Sequence, residues 1–154
     1  MKKALVIYDT QFGSTKLLAE KIAEGIEEAG DITCKVENIK DLDQGEVAVF
    51  DAVLFGSPVH AFRATRGIQN AIKMAAKDGL DGKLVTTFQT HMGGHSDKAI
   101  SKMEGTIRNK APGARLVSPG FAALVDGYSG PLSAHEIPKA KDFGKKIGQE
   151  ILQY

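Results

Sequence analysis

Short aliphatic runs alternate along this chain with segments of helical period. Ala4-Leu5-Val6-Ile7 is followed by Leu18, Ala19, Ile22, Ala23 and Ile26, and the run from Ala52 to Gly56 by Ile68, Ala71, Ile72 and Ala75. Lys83 to Gln89 is followed in turn by Ile100, Met103 and Ile107. An aliphatic run without a polar face needs apolar cover on both sides, and amphipathic helices supply that cover. The pattern predicts repeated strand-helix units and a parallel sheet between two helical layers. The expected elements are a strand over 3–8, a helix over 14–29 stopped by Gly30, strands over 52–56 and 83–89, and helices over 66–77 and 97–110. Ile32, Cys34 and Val36 alternate with polar neighbours, which suits a less buried edge strand. A fifth strand is expected from Ala114 to Val125, bent at Ser118-Pro119-Gly120, before a last helix lined by Ala140, Phe143, Ile147 and Ile151.

A chain of 154 residues can bury one substantial core, and no repeat or linker divides it, so a single domain over residues 1–154 is expected. With 20 basic and 19 acidic residues the net charge is +1, which argues against an electrostatic nucleic-acid binder. No apolar run approaches the roughly 20 residues of a membrane span or the core of a signal peptide, so a cytoplasmic protein without a membrane partner is expected. Cys34 stands alone, which excludes a disulfide framework and a thiolate cluster, and reads as a small apolar residue on a strand.

In an open parallel sheet, ligands bind beyond the carboxyl ends of the strands. The informative loops are therefore residues 9–15, 57–65 and 90–96. The first breaks into Thr10, Gly13, Ser14 and Thr15 where a helix must start. Unpaired amides and the positive helix end meet three hydroxyls there, a suitable cradle for a phosphate, and Gly13 can take positive φ. The alternative reading of those hydroxyls is helix capping alone, which needs only one of them. The three spaced glycines of a dinucleotide fingerprint and the Gly-Lys of a Walker loop are both missing. Gly56-Ser57 stands where a phospho-receiver domain would carry its aspartate.

These residues resemble the flavodoxin family: Val6-Ile7-Tyr8, Thr10, Gly13, Thr15, Ala19 and Ile22 match the flavodoxin signature, and over its full length the chain is similar to short-chain flavodoxins. The resemblance implies an α/β fold, a flavodoxin-like three-layer sandwich whose five-stranded parallel sheet has the order 2-1-3-4-5 with helices on both faces. It also implies FMN. The phosphate would lie on Thr10, Gln11, Phe12, Gly13, Ser14 and Thr15, with Phe12 contributing only its backbone N–H. The ring would lie between Ser57, Pro58, Val59, His60, Ala61 and Phe62 on one side and Thr90, His91, Met92, Gly93, Gly94 and His95 on the other.

Flavodoxins commonly sandwich the ring between a large apolar residue and a tyrosine, whereas neither loop here holds Trp or Tyr. His60, Phe62, His91 and Met92 are the side chains left to cover the ring. His91 and His95 are four apart, but the intervening Gly93-Gly94 disfavours the helix that would aim both at a metal, so no metal site is expected. Ser96 or Asp97 should cap the next helix. Arg63 and Arg66 read either as solvated helix ends or as a positive rim beside the flavin. Three functions fit: a monomeric low-potential electron carrier between redox partner proteins, an FMN-dependent NAD(P)H:quinone reductase, or a binding module of the same fold. The carrier leads because the chain lacks the longer loops that build a reductase pocket, and no residue is assigned a catalytic role.

Overall fold

The computed structural model describes residues 1–60, 63–93 and 97–153. Strands β1 (Lys2–Tyr8), β2 (Ile32–Asn38), β3 (Ala52–Pro58), β4 (Leu84–His91), β5 (Arg115–Leu116) and β6 (Phe121–Leu124) alternate with helices α1 (Ser14–Glu28), α2 (Arg66–Asp78), α3 (Lys98–Lys110) and α4 (Glu136–Leu152). Two short 3-10 turns, Ile39–Asp41 and Glu46–Val49, occupy the connection before β3, where the sequence has no period to read. The sheet is parallel in the order β2-β1-β3-β4-β5, and β6 continues beside β4 beyond β5.

Successive strand residues divide between the layers. Ala4, Val6 and Tyr8 of β1 face Leu18, Ile22 and Ile26 of α1 and Ala140, Ile147 and Ile151 of α4. Leu5 and Ile7 face Ile68 and Ile72 of α2 and Met103 and Ile107 of α3. The same split recurs in β3, where Ala52 and Leu54 join the first group and Val53 and Phe55 the second. Covered on both sides, β1 and most of β3 read as unbroken aliphatic runs, while β4, equally buried, keeps Thr86, Thr87 and Gln89 inside the fold.

The bend expected at Ser118-Pro119-Gly120 is a break that splits one strand position into β5 and β6. Leu84 and Val85 pair with Arg115 and Leu116, and Phe88 pairs with Phe121, so four residues (117–120) lie opposite only Thr86 and Thr87. The Ser118-Pro119 bond is cis. The extra residues are held by Glu104 of α3, whose carboxylate accepts from the Ser118 hydroxyl at 2.8 Å and from the Gly120 N–H at 3.2 Å. No described helix is long and apolar enough to cross a membrane.

Candidate functional site

The turn between β1 and α1 is fixed by its own side chains. Gly13 takes φ 99°, a conformation that favours glycine, and its N–H donates to the Thr10 hydroxyl oxygen at 2.8 Å. Gly13 is also the N-cap of α1, so no side chain caps that helix. The hydroxyls of the turn are thus not spent on capping, and the first-turn amides point into the open end of the sheet. Thr15 is buried, and its hydroxyl lies 2.9 Å from that of Thr90, which ties the first loop to the end of β4. Lys16 follows, exposed, and the turn itself contains no cation.

The second loop is built from β3. Ser57 is fully buried: its hydroxyl donates to the Pro58 carbonyl at 2.8 Å and accepts the Thr65 N–H at 3.0 Å. Thr65 caps α2 by accepting from Ile68 N–H and donates its own proton to Asp9 at 2.6 Å, which locks the second loop against the first. His60 and Arg63 pair antiparallel, exchanging backbone hydrogen bonds of 2.8 and 3.0 Å. Ala61 and Phe62 lie outside the described residues, as do Gly94, His95 and Ser96 in the third loop.

β4 runs two residues further than the sequence suggests, because Val59 N–H donates to the Thr90 carbonyl and Val125 N–H to the His91 carbonyl, extending the ladder on both sides. Thr90 and His91 are therefore strand residues rather than loop residues. His91 is buried, and burial lowers its pKa from the ordinary 6.5, with the Glu136 carboxylate pulling the other way. Gly93 N–H donates to its Nδ1 at 3.0 Å, a contact that needs the unprotonated nitrogen. Asp97 occupies the N-cap of α3 but makes no side-chain cap bond; its carbonyl accepts Ser101 N–H instead.

These loops surround a cleft with roughly 440 Å³ of open space between them. Thr10, Gln11, Phe12, Ser14 and Thr15 form one end of it, Pro58, Val59 and His60 one wall, and Thr90, His91 and Met92 another. Ser57, Gly13 and Gly93 do not line it. A fourth segment supplies Val125 and Tyr128, which the sequence reading did not include. That segment follows β6 and is closed by Asp126 N–H to the Pro131 carbonyl and by the Val125–Leu132 bridge. Tyr128 packs edge-on against Phe12 at 5.3 Å and its hydroxyl lies 3.5 Å from Gln11 Nε2. A tyrosine, absent from the second and third loops, thus borders the cleft from the connection into α4. The turn signals Asp126-Gly127 and Ser129-Gly130-Pro131 marked a loop around it, but nothing in the sequence said that this loop reaches the first.

Phe12, Met92 and Tyr128 are 50%, 60% and 68% exposed, three large apolar groups around one opening. An uncapped, hydroxyl-rich helix start at one end and uncovered apolar side chains at the other suit a ligand with an anionic end and a flat apolar body. FMN has that shape, and the residues present fit it.

Comparison with known proteins gives the same architecture. A family model described as the flavodoxin domain matches residues 5–122. A flavodoxin from Clostridium saccharobutylicum is 25% identical over 159 residues, covering 98% of each chain. A type A flavoprotein from Rhodobacter capsulatus is 25% identical over 157 residues, and there the chain spans only 33% of the relative's length. The solved structure of a flavodoxin from the domain Archaea superimposes with a TM-score of 0.84 over 97% of this chain and 99% of that one, at 20% identity. With its signature loop, its sheet order and a family match over residues 5–122, the chain belongs to the flavodoxin domain family.

Proposed function

We propose that this chain binds one FMN in the cleft and serves as a low-potential electron carrier between redox partner proteins, acting as a single FMN-binding domain. The observation that carries the reading is the meeting, in one cleft, of the uncapped α1 start with the exposed Phe12, Met92 and Tyr128. FMN supplies the redox chemistry, since its ring accepts and returns electrons. The Ser14, Thr15 and Lys16 amides with the hydroxyls of Thr10, Ser14 and Thr15 would hold the phosphate, neutralised by the helix end rather than by a cation. The walls at 58–60 and 90–92, with Tyr128 across the mouth, would hold the ring and keep water from its inner part. His91, kept neutral by burial, adds no charge beside the ring at neutral pH.

The reading is tested by an anaerobic reductive titration of the purified protein followed by its visible spectrum, with FMN and riboflavin affinities measured on the apoprotein. One FMN per chain and a strong preference over riboflavin are expected; equal affinity for the two would remove the phosphate assignment.

A second reading, an FMN-dependent NAD(P)H:quinone reductase, draws on the groove beside the cleft, where His60, Arg63 and Arg66 could receive a nucleotide phosphate. Steady-state turnover with NAD(P)H and a soluble quinone would favour it over the carrier.

A further inference from the structure

The near-zero net charge conceals a difference between the helix pairs on the two faces of the sheet. On one face of the sheet, α1 and α4 together carry six lysines and seven acids, several of them paired, as in Lys21–Glu24, Lys141–Glu24 and Lys145–Glu28. On the other face, α2 carries Arg66, Lys73 and Lys77 against Asp78. Helix α3 carries Lys98, Lys102, Arg108 and Lys110 against Glu104. Both of those acids are engaged. Asp78 accepts the Gly45 N–H at 2.6 Å, and the buried Glu104 holds Ser118 and Gly120 and lies 3.6 Å from Arg108. Arg63, Arg66, Lys73, Lys77, Lys102 and Lys110 are exposed and have no ion-pair partner among the described residues.

All six of those cations line a continuous depression. A groove of about 890 Å³ of open space runs from His60 and Arg63 past Arg66, Gln69 and Lys73 to Lys102, and a second hollow continues it past Lys77 to Lys110. His60 lines both this groove and the cofactor cleft. Gln69 spans the floor. Its Oε1 accepts from the Thr106 hydroxyl of α3 at 2.6 Å, while its Nε2, buried, has no hydrogen-bond partner.

We propose that the α2–α3 face is a docking surface for an acidic redox protein, seated so that its edge meets the cofactor cleft at His60. The assignment rests on the electron-carrier reading for its purpose, and on the row of cations along α2 and α3 for its location. A strip following a 13-residue helix is about 20 Å long, more than one small anion covers and a suitable length for a row of carboxylates on a protein surface. Among the described residues lining it, His60 at the cleft end is the one exposed aromatic ring, too few for a single-stranded nucleic acid that would stack successive bases.

The test uses the FMN-loaded, 15N-labelled protein at low salt, titrated with an acidic [2Fe–2S] ferredoxin, basic cytochrome c, a single-stranded DNA oligonucleotide, or phosphatidylglycerol vesicles. Saturable amide shifts along α2 and α3 are expected with the ferredoxin, with affinity falling roughly tenfold or more between low and physiological salt. Lys73→Glu with Lys102→Glu should weaken it at least about tenfold, whereas the equal charge change Lys3→Glu with Lys146→Glu should alter it less than about twofold. Retained dispersion in the variant spectra verifies the fold. Amide shifts report docking whether or not electrons then move, so a failed carrier reading and a failed surface are told apart. The assignment is overturned by ferredoxin shifts on α1 and α4 or none at all, by an unchanged affinity in the Lys73/Lys102 variant, or by tighter saturation of this face with cytochrome c, DNA or vesicles.

Discussion

Glu37 is the residue at which strand alternation misleads. Its place among Thr33, Lys35 and Glu37 reads as the solvent side of an edge strand, yet it is buried, because the 3-10 turn Glu46–Val49 folds over the end of β2. Lys35 Nζ lies 3.4 Å from the Glu37 carboxylate and 2.7 Å from that of Glu46, and one Glu37 oxygen accepts no hydrogen bond from the described residues. Burial, with the Glu46 carboxylate beside it, pushes Glu37 from the ordinary 4.5 up to about 7. The folded state therefore holds a proton that the unfolded chain has released, and Glu37 draws stability down as pH rises from about 4.5 to about 7. His91 acts with the opposite sign: its lowered pKa makes the unfolded chain bind more protons, so that stability is lost as pH falls below 6.5. Glu37→Gln, whose amide can donate to Glu46 as the retained proton does, should leave Tm near the parent value at pH 5 and above it at pH 8. Thermal melts across that range check this, and parallel curves for the two proteins would mean that Glu37 ionises normally.

Thr15 belongs to the same scale, and the sequence identified it through the signature loop. Thr15→Ala removes a donor to a charged acceptor, worth about 1.5–3 kcal/mol, so FMN affinity should fall by about one to two powers of ten. It also strands the Thr90 hydroxyl, so the apoprotein should melt lower. Thr15→Ser should recover most of both, by fluorescence titration and by melting.

At the scale of elements, the aliphatic runs and the 3.6-residue periods were enough to find every central strand and all four helices, because those segments are covered on both faces or on one. The two 3-10 turns and the break at 117–120 were harder to read. Their geometry comes from tertiary contacts, the packing against α2 and the grip of Glu104, that leave no periodic trace. The α1–α4 pair shows a third kind of information. A Cβ on Gly25 would meet the Lys141 carbonyl oxygen at 2.1 Å, and one on Gly144 would meet the Ile22 carbonyl oxygen at 2.1 Å, so these helices touch backbone to backbone. Gly25→Ala or Gly144→Ala gains about 1 kcal/mol of helix propensity but must push two packed helices apart, for which overpacking costs of about 1–3 kcal/mol are typical. Because the obstructing atoms are backbone and cannot rotate away, net destabilisation is expected in denaturant melts. Gly105→Ala in α3, where a Cβ meets nothing within 4 Å, should stabilise instead.

At the scale of the whole molecule, the cleft joins parts far apart in sequence, and this decides which of its residues could be read in advance. The first loop is local: its glycine, hydroxyls and helix start lie within six residues, so this end of the cleft was legible. Tyr128 reaches the cleft only because β6 lies beside β4 and the chain then turns back across the mouth before α4. FMN binding should therefore couple segments from residue 10 to residue 128 and stabilise the molecule as a whole. At a free concentration of about one hundred times Kd, a ligand specific for the folded state adds about 2.7 kcal/mol. For a chain of this size each kcal/mol raises Tm by about 2–4 °C, so FMN should raise it by about 5–11 °C. Riboflavin at the same concentration should raise it much less, since it leaves the α1 start without an anion. Tyr128→Ala should reduce the FMN increment while changing the apoprotein melt little, because the ring is exposed, packing edge-on against Phe12 with its hydroxyl 3.5 Å from Gln11. Calorimetry of the apoprotein and its variant with each ligand checks the set. An FMN increment unaffected by Tyr128→Ala would place the ring of FMN away from the fourth segment, and one matched by riboflavin would detach the site from the helix start.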